Sequence, residues 1–221
     1  RRLKEGNLDG VNITAPYKKS FISYIDQLNP RAESIGAINC IHNNNGKLIG
    51  NNTDWFGFGQ SVESFSDFEN VVIIGSGGVV PALLYYLQSR LSCPIHIIGR
   101  NVEKLENLKS GNTFIYNIES FNLKVEKGFL INAIPANAKI NWDNIINRIK
   151  GSPLYVMDLT YHLKATEFLN SFNSQVIKKN GLDMLIYQAL MSIDIWYNES
   201  FSKAIDMNDL KNKIMTKYYD K

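Results

Sequence analysis

Cysteine is scarce in this sequence: Cys40 and Cys93 are the only two among 221 residues. Two cysteines make no disulfide framework and show no metal-ligand spacing, so a reducing compartment, the cytoplasm, is expected and no metal. Histidine is nearly as rare, and His42, His96 and His162 share no spacing. No apolar run approaches the ~18 residues of a membrane-spanning helix, which argues against a membrane partner. Charge is not one-sided either. The 24 basic residues are dispersed and leave a formal charge of only +3, which argues against nucleic acid. There is no internal repeat, and no low-complexity block apart from Asn43-Asn44-Asn45. Arg1-Arg2-Leu3-Lys4-Glu5 leads into no secretory apolar core. The sequence does not begin with Met, so it reads as a fragment or as a chain whose true N-terminus lies upstream. What is present is a globular composition, 44% hydrophobic and 20% charged, which excludes disorder and collagen-like order. At roughly 100–200 residues per domain the length allows one large domain or two small ones.

The middle of the chain alternates strand and helix. Asn70 to Ile74 is a near-continuous apolar strand, as in parallel sheets buried on both faces. A glycine turn follows, and then Leu83, Leu84, Leu87 and Leu91 recur at helical spacing. Further strands are expected at Ile95–Ile98, Phe114–Tyr116, Gly128–Ala133 and Leu154–Leu159, with a helix over Ile140–Ile149. The pattern predicts a doubly wound α/β unit near 57–180. Leu182–Tyr197 and Asn208–Tyr219 read as helices. They are expected to complete a smaller α/β domain built from 1–56 and 181–221.

Val71-Val72-Ile73-Ile74-Gly75-Ser76-Gly77-Gly78-Val79-Val80-Pro81-Ala82 is a strand, a tight turn and a helix start. The first glycine makes the turn and the second lets backbone approach a pyrophosphate, which the helix N-terminus then attracts. Val80 stands where a third small residue is usual, a bulk expected to loosen the helix-to-strand contact, while Pro81 suits a first helical turn. An NAD site normally ends its second strand with an acid that bonds the ribose 2′-OH. Here that end is Ile97-Ile98-Gly99-Arg100-Asn101. Arg100 pairs well with a 2′-phosphate through its planar fork, and Lys104 is a second contact. NADP is therefore expected over NAD.

The N-terminal third carries a hairpin signal, Asn45-Gly46, because both central residues of a type I′ turn need positive φ. With a two-residue turn Asn44 pairs Lys47, and counting outward sets Asn39 opposite Asn52. Asp54 is then a diagonal neighbour of Asn39, about 7–8 Å away, near enough for both to touch one small ligand. Taken singly, Lys18 is an ordinary surface group and Asp54 an ordinary helix cap before Trp55-Phe56-Gly57-Phe58. His96 reads as a packed or edge residue, His162 as a neighbour of Tyr161, and both cysteines as inert. Trp55, Trp142 and Trp196 read as core or interface.

Together the motifs resemble those of shikimate dehydrogenase, from about residue 9 to the C-terminal helices. Asn12-Ile13-Thr14-Ala15-Pro16-Tyr17-Lys18 is similar to the family's Asn-Val-Thr-x-Pro-x-Lys, Gly36-Ala37-Ile38-Asn39 to its Gly-Ala-Val-Asn, and Asn52-Thr53-Asp54 to its Asn-Thr-Asp. Gly75 to Ala82 resembles its glycine turn, and Gly181-Leu182-Asp183-Met184-Leu185 with Gln188 its Gly-x-x-Met-Leu-x-x-Gln helix. The resemblance implies a Rossmann-like NADP domain, reversible reduction of 3-dehydroshikimate to shikimate in aromatic biosynthesis, and a monomer or homodimer. It implies Lys18 and Asp54 as the catalytic pair, and Thr14, Asn39, Asp54, Tyr161 and Gln188 as substrate contacts. It implies Gly75, Ser76, Gly77, Gly78, Val79, Arg100, Asn101, Lys104, Asn132, Ala133 and Gly181 as cofactor contacts.

Four features depart from the pattern. Asn132-Ala133-Ile134-Pro135 lacks the family's Thr, and the Gly of the following Gly-Met is gone as well. Asp158-Leu159-Thr160-Tyr161-His162-Leu163 lacks its Pro, and Gly99 replaces an Asn. The family's first strand and Ser-x-Ser-Pro loop, which binds the substrate carboxylate, would precede residue 1. Either the full protein carries that loop, or this chain is impaired in substrate binding. Two rival readings stay open, a quinate/shikimate dehydrogenase with relaxed cofactor use and a non-catalytic nucleotide-binding paralogue.

Overall fold

The structure, a computed structural model, describes residues 2–161 and 165–218. His162 and Leu163, singled out above, lie outside the described residues. The N-terminal third forms a four-stranded sheet. Its strands are β1 (Gly10–Asn12), β2 (Gln27–Leu28), β3 (Cys40–Asn44) and β4 (Lys47–Asn51), in the order β1-β3-β4-β2. The central hairpin has the expected register, Asn44 opposite Lys47 through to Cys40 opposite Asn51. Asn45 and Gly46 take φ of 51° and 84°, and Asn43 Oδ1 accepts from Gly46 N at 2.7 Å. Helix α1 (Pro30–Ile35) is capped by the Asn29 side chain and ends at Gly36 with φ 67°. Ala32, Ile38 and Ile41 form the core beneath it.

Helix α2 (Asp54–Ser61) leads into β5 (Asn70–Ile74), α3 (Val80–Arg90), β6 (Ile95–Gly99), α4 (Val102–Glu106) and β7 (Thr113–Asn117). The chain then crosses by way of β8 (Leu123–Lys124) to β9 (Gly128–Asn132). It continues as α5 (Trp142–Ile146), β10 (Ile149–Lys150), β11 (Pro153–Asp158), α6 (Glu167–Asn170) and β12 (Ile177–Asn180). Six of these strands make one parallel sheet, β12-β11-β9-β5-β6-β7. Both faces are covered, as the continuous apolar runs require. Val71, Ile73, Leu83, Leu87 and Phe129 pack on one side; Val72, Ile74, Leu130, Val156 and Phe168 pack on the other. From β5 the chain goes to β6 on one side and later returns to β9 on the other. The carboxyl ends of β5 and β9 therefore flank the switch-point crevice where such sheets bind ligands.

Helix α7 (Leu182–Tyr197) runs back over the N-terminal sheet, and α8 (Met207–Tyr218) packs on its Leu182, Ile186 and Leu190. Gly57 sets how closely α2 meets α7. A Cβ there would fall 2.6 Å from the Met184 carbonyl oxygen and 2.8 Å from Gln188 Cβ.

Two expectations need correction. The helix expected over 140–149 is short: Asn141 caps it, and Ile149 leaves it to pair with Leu123 in a small parallel ladder. All four isoleucines of that stretch still reach the same core, so apolar spacing alone did not separate helix from strand. Val80 does not loosen the α3 contact; it is fully buried among Ile73, Leu83 and Ile97. His96 is packed on β6, with Nδ1 3.3 Å from Tyr116 Oη. Cys40 is buried, and burial pushes its thiol up to about 11.

Candidate active site

The loop after β1 is pinned by Tyr17 N donating to Thr14 O at 3.0 Å and Ile38 N donating to Lys18 O at 2.9 Å. It delivers Lys18 Nζ to Asp54 Oδ2 at 2.5 Å. Both side chains are largely buried, 14% and 7% exposed, so this charge-assisted bond is poorly screened by water. Asp54 opens α2, where its own N–H donates to Asn52 Oδ1 at 3.0 Å. Asn52 Nδ2 donates in turn to Ala37 O at 2.9 Å, which ties the hairpin end to the α1–β3 connection.

Asn39 stands immediately before β3 and serves Asp54 from the other side. Its Nδ2 lies 3.0 Å from Asp54 Oδ1, 2.9 Å from Thr53 Oγ1 and 3.2 Å from Gln188 Oε1. Thr53 N donates to Asn39 Oδ1 at 2.6 Å, which fixes which way round the amide faces. Gln188 Nε2 donates to Leu185 O at 2.9 Å, so Gln188 presents its oxygen inward. The sequence reading missed Thr53 and Ser192, which meet behind this cluster at 3.1 Å. The signal was present for Ser192, which lies one helical turn after Gln188.

Lys18, Asp54, Asn39 and Gln188 line a cavity of about 390 Å³ together with Thr14, Tyr161, Val79 and Gly181. That is the size of a small-molecule site. All the residues expected to touch substrate are thus brought to one cavity.

Gly75 adopts φ 134°, and a Cβ there would lie 2.9 Å from the backbone carbon and oxygen of Ala133. Glycine is required because β5 and β9 close on each other at the crevice. A Cβ on Gly77 would meet only Ala133 O, at 3.7 Å, and one on Gly78 would meet Lys18 Cβ at 3.7 Å. The turn is therefore open to a ligand and adjoins the Lys18 loop. On one side of it a cavity of about 720 Å³ gathers Ser76, Arg100, Asn101, Glu103, Lys104 and Asn117. Asn101 is partly committed, because its Oδ1 caps α4 by accepting from Lys104 N at 3.0 Å. A Cβ on Gly99 would fall 2.7 Å from Leu105 Cδ1 and 3.2 Å from Ser76 Cβ.

On the other side, about 320 Å³ lies between Val79, Ala133–Ala136 and Leu159–Tyr161, and Val79, Leu159 and Tyr161 also border the Lys18 cavity. Asn132 Oδ1 shapes this wall by accepting from Ile134 N at 2.9 Å. Gly181 N donates to Thr160 O at 2.8 Å, and a Cβ on Gly181 would fall 2.1 Å from Leu159 O. The open cradle, flanked by two cations and leading to Lys18, fits a phosphorylated dinucleotide. A further cavity, about 1110 Å³ between residues 134–143 and α6, lies beside this track and was not anticipated from sequence.

Among the described residues no three His, Cys, Asp or Glu side chains cluster to hold a metal, and no helix is long and apolar enough to cross a membrane. Residues 1–41 match the family model described as the shikimate dehydrogenase substrate binding domain. An NADP(+) shikimate dehydrogenase of Staphylococcus aureus is 32% identical over 218 residues, spanning 96% of this chain and 80% of that protein. One from Methanococcus maripaludis is 34% identical over 214 residues, spanning 87% and 74%. The crystal structure of a chorismate mutase/shikimate 5-dehydrogenase fusion protein from Clostridium acetobutylicum superposes with a TM-score of 0.78 at 28% identity, covering 97% of this chain and 78% of that one. With the Lys18–Asp54 pair, the hairpin amide and the glycine crevice in one continuous site, and with these relatives, the chain belongs to the shikimate dehydrogenase family.

Proposed function

We propose that this chain is a cytoplasmic enzyme that catalyses the reversible NADPH-dependent reduction of 3-dehydroshikimate to shikimate. The observation that carries the reading is the Lys18–Asp54 pair at 2.5 Å, in a ring-sized cavity that adjoins the glycine turn. Residues 1–56 and 181–221 act as the substrate unit and 57–180 as the dinucleotide unit. Gly75, Ser76, Gly77, Gly78 and Val79 hold the pyrophosphate against α3. Arg100, Asn101 and Lys104 hold the 2′-phosphate, and Asn132, Ala133 and Gly181 border the far ring. The bound cofactor supplies the hydride.

The chain's own residues manage the proton. The Lys18 ammonium polarises the ring carbonyl and gives its proton to the oxygen as charge develops there. Asp54 aims the ammonium, and accepts from a neighbouring substrate hydroxyl. Asn39, Thr14 and Tyr161 bind the remaining polar groups. Gln188 accepts from a substrate hydroxyl through the Oε1 it turns inward, one of its two amide hydrogens being held by Leu185 O.

Shikimate-dependent NADP+ reduction, followed by NADPH absorbance, tests the proposal. Turnover with shikimate and NADP+ is expected, with NAD+ and quinate far behind. Comparable quinate turnover with NAD+ would favour the broader dehydrogenase. Cofactor binding without any turnover would favour the non-catalytic paralogue.

A further inference from the structure

Two buried hydroxyls sit behind the site without facing its cavity. Thr53 and Ser192 are both fully buried, and they join the end of the β-hairpin to α7. Ser192 Oγ donates to Gln188 O, one turn back in α7, at 2.9 Å. That commits the only hydroxyl hydrogen Ser192 has. Thr53 Oγ1 then donates to Ser192 Oγ at 3.1 Å, its nearest acceptor, ahead of Asn39 Oδ1 at 3.3 Å and Gln188 Oε1 at 3.4 Å. With its own hydrogen turned toward α7, Thr53 Oγ1 presents only lone pairs to Asn39 Nδ2, 2.9 Å away. Asn39 has two amide hydrogens and three acceptors within 3.2 Å: Thr53 Oγ1, Asp54 Oδ1 and Gln188 Oε1. One hydrogen is held by Thr53, which leaves the other for Asp54.

We infer that Thr53 and Ser192 are positioning residues. Their hydroxyls form a directional relay, from the α7 backbone to Asn39, that keeps the Asn39 amide on Asp54 and so keeps the Lys18–Asp54 pair in line. The relay also explains why a helix from the end of the chain is coupled to a carboxylate near its beginning. Without the Thr53 hydroxyl, the backbone bond from Thr53 N still fixes which way round the amide faces. The Nδ2 hydrogen that Thr53 held then turns to Gln188 Oε1 at 3.2 Å, and the amide loses the partner that held it square on Asp54 Oδ1 at 3.0 Å. The same turn occupies the Gln188 oxygen that substrate needs. The inference rests on the dehydrogenase reading and specifies which residues hold that site in register.

Thr53→Val replaces the hydroxyl by a methyl of nearly the same shape, and Thr53→Ser keeps it. The measurements are kcat and KM for shikimate, the Kd for NADPH by fluorescence titration, and native circular dichroism for each variant. Thr53→Val is expected to lower kcat/KM by about three- to tenfold, the worth of one neutral hydrogen bond, with the NADPH Kd unchanged. Thr53→Ser is expected within about twofold of wild type, since it restores that bond. Ser192→Ala, which leaves the Thr53 hydrogen free to turn, is expected to lower kcat/KM less. Thr53→Val with Ser192→Ala is expected to be no worse than Thr53→Val alone, because the two hydroxyls act as one unit.

Unchanged kcat/KM in Thr53→Val would overturn the inference, as would failure of Thr53→Ser to restore it or simple additivity of the two losses. If Thr53→Val does not fold, Ser192→Ala decides: unchanged kcat/KM there overturns the relay. A wild type that reduces no NADP+ with shikimate overturns the dehydrogenase reading itself, and the positioning role falls with it.

Discussion

Asp183, in the first turn of α7, is held between two cations: Lys179 Nζ from β12 at 2.8 Å and Lys211 Nζ from α8 at 2.6 Å. Its side chain is 14% exposed, against 25% and 34% for the lysines, so this is a half-buried junction rather than a surface pair. Burial pushes the Asp183 carboxyl up, but the hydrogen bonds and charges of Lys179 and Lys211 outweigh it and hold the carboxyl below its ordinary value. A carboxyl depressed in the folded state contributes stability above its unfolded pKa and loses that contribution as pH falls through the folded value. Asp183→Asn removes the charge and leaves both lysines unpaired. At neutral pH the expected loss is about 1–3 kcal/mol, the upper end limited by the partial exposure of the lysines. For a chain of this size that lowers the melting midpoint by about 2–12 °C. Urea unfolding of wild type and Asp183→Asn, at neutral pH and again near the acid limit of the fold, provides the assay. The gap between the two proteins must shrink as the pH falls. A gap that stays constant or widens in acid would refute the sign and the assignment of the charge to the folded state.

Other outcomes are equally specific. Arg100→Ala should weaken NADPH by about tenfold or more and leave NADH nearly untouched, since a charge-assisted phosphate contact is worth about 1.5–3 kcal/mol; isothermal titration with both nucleotides decides it, and equal losses would contradict the 2′-phosphate role. Gly57→Ala should destabilise by about 1–3 kcal/mol, because the new methyl meets the Met184 carbonyl, and an unshifted thermal melt would show that α2 and α7 separate freely. Cys40, buried with its thiol pushed up to about 11, should resist alkylation in the native protein at mildly alkaline pH, while the half-buried Cys93 reacts first; mass mapping of equal labelling would contradict this.

Much of the fold was legible because the physical signals were local. Asn70–Ile74 and Leu182–Tyr197 coincide with β5 and α7, since a strand buried on both faces and a long amphipathic helix both write their burial into consecutive residues. The type I′ turn fixed the hairpin register, which sets Asn39 near Asp54, while the direct 3.0 Å bond between them arises because Asp54 opens α2 instead of extending β4. The elements without a sequence signal were mostly the short ones. β2, β8 and β10 are two residues each, and α4 and α6 five and four, too few to show a period. Long-range relations were the other gap. Nothing in the order of residues shows that Ser192 reaches Thr53, or that Gly78 adjoins Lys18; those contacts exist only once α7 folds back over the hairpin and β5 meets the N-terminal loop. The Lys18–Asp54 pair itself was reached through motif resemblance, not through spacing.

The most direct test is the steady-state rate of Lys18→Ala with shikimate and NADP+, on protein whose fold and NADPH affinity match wild type. An ammonium that donates the proton predicts a kcat lower by about 10²–10⁴-fold with KM little changed. A variant that keeps its kcat and raises only KM would show that Lys18 holds substrate without moving the proton, and the proposed chemistry would be wrong.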